Sequence, residues 1–203
     1  MSQIQEMFFT RSLALMLIKM SLRLFEIGTI MVKDKLKFEK YSMENRNVKF
    51  GFAKTSNRCE IIDLCLNVMK QWGKIDSEMQ ESIKRQIAVQ IERNLIFCAF
   101  KNERVIGFTS VIDRSISGKI NKHRLHITNT VISDENRKLG IATKLRELVI
   151  EFAGINNYVM VTTNHHKDNE VMQNLSIKFN FKEFPEDELL PTDKDSISYK
   201  LVL

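Results

Sequence analysis

The run ENRKLGIATKL at residues 135–145 combines basic side chains with a glycine and an alanine, between a strand-like stretch and a helix-like stretch. Backbone N–H groups at a helix N-terminus bind anions, because they lack intrahelical acceptors and carry the positive end of the helix dipole. Gly140 lets a bulky ligand approach this backbone, and the small side chain of Ala142 leaves room beside it. Arg137 and Lys138 add positive charge. The run therefore predicts a site for a diphosphate group.

Two better-known phosphate sites do not fit this run. It lacks the pattern G-x-x-x-x-G-K-[ST], so it is not a P-loop. It has a single glycine and no preceding parallel βαβ unit, which disfavours the dinucleotide-binding fingerprint.

The spacing Arg137-x-x-Gly140-x-Ala142 resembles the phosphate-binding signature Q/R-x-x-G-x-G/A of the GNAT superfamily of N-acetyltransferases, and it matches at all three defined positions. A second resemblance lies in a later helix, where that family commonly reads N-x-x-A-x-x-L-Y-x-K-x-G-F. The Asn, Leu, Lys and Phe positions match, whereas the Ala, Tyr and Gly positions are Met172, Ser176 and Asn180. The resemblance covers about residues 47–203.

The resemblance implies that acetyl-CoA lies in a cleft, where the strand that ends at Ile132 separates from the strand at residues 158–163. The pantetheine arm would pair with backbone groups of the first strand, and the diphosphate would bind the amides of the turn. The implied cofactor contacts are Thr130, Val131, Ile132, Arg137, Lys138, Leu139, Gly140, Ile141, Ala142, Thr143 and Asn169. An amine would attack the thioester directly, with no covalent enzyme intermediate and no metal.

Direct attack needs an unprotonated amine, so a base or a water chain must remove a proton. His126 is the candidate base, because it lies in a strand eleven residues before Arg137, where family members often place a Glu or His. This placement is similar to that of the arylalkylamine N-acetyltransferases. The ordinary histidine pKa of about 6.5 suits the role. The alternative is a half-buried strand residue with a structural hydrogen bond.

Ser176 occupies the position of the tyrosine that often protonates the departing thiolate in the family. A serine hydroxyl is a much weaker acid than a phenol, so Ser176 could act only within a water relay. The alternative is that Ser176 only fills the site.

The elements that must position these residues follow from hydrophobic periodicity. The predicted strands are residues 47–53, 95–100, 105–113, 123–133, 158–163, 181–184 and 196–203. The predicted helices are residues 58–72, 77–94, 141–152 and 168–179, with Gly154 ending the third. The order β-α-α-β-β-β-α-β-α-β-β resembles the GNAT fold, an α/β architecture with a mixed, mostly antiparallel sheet of about seven strands and about four flanking helices.

The composition fits one globular domain with an added segment. The chain has 203 residues, is 43% hydrophobic and contains two prolines, so it can bury a substantial core. Residues 47–203 form the predicted domain, and residues 1–46 form an extension that is either partly disordered or an amphipathic helix. A mitochondrial presequence is one interpretation of such a helix. Its longest uncharged apolar run, Leu13 to Ile18, is too short for a bilayer, which needs about 20 residues.

The charge distribution and the cysteine and histidine positions limit which partners, metals and compartment can be expected. Nine Lys or Arg against five Asp or Glu lie in the first 50 residues, so the remaining chain is nearly balanced and no nucleic-acid partner is expected. The three cysteines, Cys59, Cys65 and Cys98, lack C-x-x-C spacing, which predicts reduced thiols in the cytoplasm. The pair His165-His166 predicts a polar loop near the cofactor rather than a metal site, because adjacent residues in extended chain face opposite ways.

These observations predict an acetyl-CoA-dependent N-acetyltransferase that acts on a small primary amine, with an arylalkylamine as the leading acceptor. Met69, Trp72 and Met79 could line an aromatic-amine pocket, or they could pack within a helix hairpin. Two other functions remain open, namely a protein acetyltransferase acting on lysine or an N-terminal amine, and a non-catalytic acyl-CoA-binding protein. A monomer or a homodimer is expected.

Overall fold

A computed structural model describes residues 38–73, 75–114, 123–184 and 195–203. The strands are β1 (Val48–Phe52), β2 (Ile96–Lys101), β3 (Arg104–Asp113), β4 (Arg124–Ile132), β5 (Met160–His166), β6 (Lys182–Glu183) and β7 (Ser196–Val202). The helices are α1 (Arg58–Trp72), α2 (Ser77–Glu92), α3 (Ile141–Ile155) and α4 (Glu170–Lys178). The predicted fold class and element order are confirmed. No helix in these ranges is both long and apolar enough to cross a membrane.

One parallel strand pair interrupts an otherwise antiparallel sheet. The strand order is β1-β2-β3-β4-β5-β7-β6, and only β4 and β5 run parallel. A parallel pair needs a crossover connection, which here is α3. The turn before α3 therefore lies at the end of β4, where the diphosphate site is predicted.

Each face of the sheet is covered by helices, because each helix has an apolar stripe to bury. Helix α3 packs Leu145, Val149 and Phe152 on one face, together with the buried strand residues Phe97 and Leu125. Helices α1 and α2 cover the other face and form a second core there. The side chain of Asp76 caps α2 by accepting a hydrogen bond from the Met79 N–H over 2.7 Å. Strands β2, β3 and β4 contribute residues to both cores and lie between them.

A bulge in β4 lies where β4 and β5 separate. Ser110 of β3 pairs with Asn129 and Val111 pairs with Ile127, so Thr128 is an extra residue in β4. The Thr128 hydroxyl donates to the Ser110 carbonyl over 3.1 Å, which satisfies the irregular backbone. The parallel pairing with β5 ends at the same point, at Ile127 and Thr163. Bulges turn strands away from their neighbours, so this one opens the sheet.

Two predicted boundaries were wrong. Helix α3 passes through Gly154 and ends at Ile155, and Asn157 takes the left-handed conformation with φ 56°, which asparagine tolerates. Strand β5 extends to His166 rather than ending at residue 163, because the distant β7 pairs along it as far as His166 and Ser196. His165 and His166 therefore lie in a strand and not in a loop.

The chain before β1 contacts the domain. Residues 1–37, which hold most of the predicted extension, lie outside the described residues. Within the rest of that predicted extension, the Phe38 ring packs edge-on against Phe52 with centroids 5.1 Å apart. The Tyr41 hydroxyl donates to the Glu151 carboxylate of α3, and the Lys40 ammonium pairs with the same carboxylate.

Candidate functional site

A cavity of about 310 Å³ lies where β4 and β5 separate. Its polar wall comes from the ends of these strands and the start of α4, and its apolar wall comes from α1, α2 and the segment between them. The lining residues of the polar wall are Ile127, Thr128, Asn129, Thr130, Val131, Thr163, Asn164, His165, His166, Asn169 and Met172. Those of the apolar wall are Cys65, Val68, Met69, Gly73, Ile75 and Met79.

The far end of β4 offers a free backbone edge to this cavity. Within the described residues, β4 pairs with β5 only from Arg124 to Ile127, while residues 129–132 pair only with β3 on their other side. Thr130 and Val131 both line the cavity. Unpaired strand edges bind extended ligands by adding their hydrogen bonds to the sheet. This edge fits the predicted contacts of Thr130, Val131 and Ile132 with a pantetheine arm.

The turn after β4 presents amides at the start of α3. Lys138 and Gly140 both have left-handed backbones, with φ of 61° and 83°, and Gly140 is the N-cap. The first intrahelical bond runs from the Lys144 N–H to the Gly140 carbonyl over 3.1 Å. The preceding N–H groups of Ile141, Ala142 and Thr143 therefore have no acceptor one turn back. A glycine has no side chain to cap them, which leaves these donors for an anionic ligand.

Side chains around the turn hold it in place. The Arg137 guanidinium pairs with Asp134 over 2.6 Å, and its Nε donates to the Ile132 carbonyl over 3.4 Å. Arg46, from the segment before β1, donates from Nη1 to the Leu139 carbonyl over 2.6 Å. Sequence reasoning missed Arg46 because the contact joins residues 93 positions apart. These three bonds fix the strand end and the turn relative to each other.

Asn169 lies at the cavity wall and caps α4. Its Oδ1 accepts a hydrogen bond from the Met172 N–H over 3.3 Å, and the residue also lines the cavity. The predicted contact with the cofactor therefore comes from a side chain whose orientation is already fixed by its capping bond.

His126, the predicted base, lies behind the cavity rather than in its wall. It is 3% exposed, it is not among the lining residues, and its Nδ1 lies 2.9 Å from the Thr162 hydroxyl. Burial lowers its pKa well below 6.5, and the charges of Arg114, His165 and Arg124 lower it further. An imidazole that is weakly basic and lies outside the cavity wall can reach an acceptor only through an intervening group.

We expect His126→Gln to lower kcat/KM by less than about tenfold, because a residue outside the cavity wall with a lowered pKa contributes little proton transfer. The measurement is kcat/KM against pH, with Thr162→Val as the matched variant that removes the hydrogen-bond partner. A loss of about 100-fold or more that also removes the acidic limb of the profile would establish His126 as the base.

Ser176, the predicted proton relay, is fully buried in α4 and contacts His165 of β5. Its hydroxyl lies 2.7 Å from His165 Nε2, and the cavity is lined by His165 rather than by Ser176. Burial lowers the pKa of His165 to about 3, and the nearby Arg146 guanidinium contributes to this shift. Ser176 can therefore influence a ligand only through a neutral imidazole.

Sequence reasoning placed His165 near the cofactor, but in a loop rather than in a strand. The alternation of β5 carries the signal. Val161 is buried in the core beside α3, and Thr163 and His165 follow it at every second position. Extending the predicted strand by three residues would have placed His165 on that buried face.

The apolar wall contains two of the three residues considered for an aromatic pocket. Met69 and Met79 line the cavity together with Cys65, whereas the side chain of Trp72 lies outside the described part of the structure. Burial raises the pKa of the Cys65 thiol to about 11, which makes it an unreactive wall residue. In the described ranges there is no cluster of three or more potential metal ligands.

Known acetyltransferases resemble this chain in sequence pattern and in fold. The model of the acetyltransferase (GNAT) family matches residues 59–181, which is more than half of the chain. Similar solved structures include an acetyltransferase from Streptococcus agalactiae, with TM-score 0.61 and 19% identity over 78% of this chain and 99% of that one. The PaiA N-acetyltransferase of Thermoplasma acidophilum, solved with coenzyme A, has TM-score 0.61 and 18% identity over 77% and 99%.

YncA from Salmonella typhimurium, solved with acetyl-CoA, has TM-score 0.63 and 16% identity over 77% of this chain and 94% of that one. No curated protein matches the sequence. At these identities the solved structures support the fold, and the family assignment comes from the family model.

Proposed function

Because the chain belongs to the GNAT acetyltransferase family, we propose that it transfers the acetyl group of acetyl-CoA to the primary amine of a small arylalkylamine. One observation carries this proposal. A single cavity joins the free edge of β4 and the start of α4 to an apolar wall built by α1 and α2. A thioester held along the first wall would meet an acceptor held against the second.

The chemistry of the apolar wall favours an acceptor whose body, apart from the reacting amine, is aromatic and uncharged. None of the described residues that line the cavity is an aspartate or a glutamate, so the wall has no carboxylate to bind the second ammonium of a polyamine or the basic residues of a peptide. Three sulfur-containing residues, Cys65, Met69 and Met79, lie in the apolar wall instead. Sulfur contacts aromatic rings favourably, and methionine adapts to irregular ligands.

The polar wall and the turn that follows β4 fit an extended thioester with a diphosphate. Amides at the start of α3 suit the diphosphate, the β4 edge suits the pantetheine amides, and Asn169 offers its amide nitrogen while its oxygen caps α4. Acetyl-CoA supplies an activated acyl group, and the protein supplies orientation. The amine nitrogen attacks the thioester carbon and releases its proton to water, because the imidazole of His126 is buried and weakly basic.

We expect Met69→Ala to raise the KM for an arylalkylamine by about tenfold, because it removes one packing partner and one sulfur contact from the ring. The KM for acetyl-CoA should stay unchanged, since Met69 lies on the opposite wall. Steady-state kinetics with both substrates measures this, and Met69→Leu is the control that keeps the volume. An equal rise in both KM values would contradict the assignment of the two walls.

An acceptor panel followed by release of free thiol tests the proposal itself. The panel contains phenethylamine and tryptamine, a diamine, and peptides with a free lysine or a free N-terminus. Preference for the aromatic amines is the expected result. Preference for the peptides would identify a protein acetyltransferase, and binding of CoA without turnover of any amine would identify a non-catalytic acyl-CoA-binding protein.

A further inference from the structure

An arginine of α3 is buried without an ionic partner among the described residues. Arg146 is 1% exposed, and neither Nη1 nor Nη2 has a hydrogen-bond partner among the described residues. Its guanidinium carbon lies over the ring of Phe181, 5.0 Å from the centroid. Burial lowers its pKa only to about 10, so the group stays charged at neutral pH. An unpaired buried charge destabilises a protein, and the contacts of Arg146 with the described residues leave this cost uncompensated.

Contacts through Phe181 connect the guanidinium to the polar wall of the cavity. The Phe181 N–H donates to the Ser176 carbonyl over 3.0 Å, and the positive charge of Arg146 helps to lower the pKa of the His165 imidazole, which lines this wall. Ser176 of α4 holds the ring through its Nε2, and the ring of Tyr199 on β7 lies 5.4 Å away. His166, the other histidine in the wall, lies 3.5 Å from the carboxylate of Asp168. Arg146 is therefore a buried positive charge separated from the cavity by neutral polar side chains.

The proposed reaction creates a negative charge in this cavity. As the bond between the amine nitrogen and the acyl carbon forms, the carbon–sulfur bond breaks and sulfur keeps the electron pair. The amine gives its proton to water, so the products are the amide, a CoA thiolate and a proton. None of the described lining residues is a tyrosine, a lysine or a carboxylic acid that could protonate the sulfur as the bond breaks. A positive charge near the sulfur would stabilise the developing thiolate before it takes up a proton.

We propose that Arg146 is a positioning residue for the leaving group, whose fixed charge stabilises the CoA thiolate across the His165–Ser176 pair. This inference rests on the proposed reaction with acetyl-CoA. A charge fixed in a low-dielectric interior stabilises a developing anion more than a solvated charge does, because no reorganisation is needed during the reaction.

The pKa of the CoA thiol in the binary complex tests this directly, because the thiolate absorbs in the ultraviolet and needs no acceptor. We expect Arg146→Met to raise that pKa by about one unit relative to wild type, and Arg146→Lys to stay near wild type. Arg85→Met, on the exposed surface of α2, is the control and should leave it unchanged. In turnover, the expected loss for Arg146→Met is about tenfold in kcat, with an unchanged KM for the amine.

These measurements distinguish a failure of the Arg146 inference from a failure of the proposed function. If CoA binds all four proteins and the thiol pKa is the same in wild type and Arg146→Met, the inference is wrong while the acetyl-CoA reaction stands. If CoA does not bind wild type, the proposed function and the inference both fail.

Thermal unfolding without ligand separates a catalytic role from a structural one. Removing an unpaired buried charge should raise the Tm of Arg146→Met by several degrees. A lower Tm, or a variant that does not fold, would assign Arg146 a structural role and overturn the proposal.

Discussion

Gly140→Glu is expected to weaken CoA binding by about 100-fold or more. A carboxylate at this N-cap would lie beside the amides that we assign to the diphosphate. At an effective dielectric constant of about 20, two unit charges 4 Å apart repel by about 4 kcal/mol, and solvent screening reduces this to about 3 kcal/mol, or about 100-fold. Isothermal titration with CoA measures the effect.

Gly140→Gln is the matched control, because glutamine has the same size as glutamate and the same difficulty with the left-handed backbone at φ 83°. A side chain at this position has room, since the nearest atom to an added Cβ is the terminal methyl of Met43 at 4.0 Å. We expect the glutamine variant to lose about tenfold at most, through backbone strain alone. Equal affinities of the two variants would show that no anion binds at this turn.

Acidification from pH 7 to pH 5 is expected to remove several kcal/mol from the free energy of unfolding. His126 and His165 are 3% and 7% exposed, and both have lowered pKa values. The unfolded chain, with histidine pKa values of about 6.5, therefore takes up protons before the folded protein does. The stabilisation is complete above about pH 6.5 and is lost as the pH falls towards the folded value, about 3 for His165.

Each buried histidine contributes up to about 1.4 kcal/mol per pH unit below 6.5. Urea unfolding at pH 7, 6 and 5 measures the slope above the range in which the carboxylates titrate. His126→Gln should reduce the slope by up to half. A slope that is the same in His126→Gln as in wild type would mean that this imidazole titrates normally in the folded state.

The features of this protein that depend on neighbouring residues could be predicted from its sequence. The turn at residues 137–143 was found because glycine, alanine and basic residues at that spacing have a direct meaning for backbone geometry and charge. The stripes of α2 and α3 were found because Ile83, Ile87, Leu145 and Phe152 recur at helical spacing. Short-range rules suffice for features that neighbouring residues determine.

The features set by distant contacts could not be predicted in this way. Strand β5 is extended by β7, which pairs with it from more than 30 positions along the chain. The contact between Arg46 and Leu139 spans 93 positions, and His165 meets Ser176 only after α4 folds back on β5. In the sequence, Arg146 resembles a surface residue of a helix. Its burial follows from the packing of its guanidinium over the ring of Phe181, which is 35 positions away. The site is therefore richer in buried polar groups than its motif indicates.

The central claim is that the amides of residues 138–143 and the free edge of β4 bind a CoA thioester. Amide-resolved NMR of the protein during titration with CoA tests it most directly. The account predicts that the largest shifts, and new protection from hydrogen exchange, occur at residues 128–132 and 138–143. Saturable binding that leaves these amides unchanged and perturbs another part of the chain would contradict it.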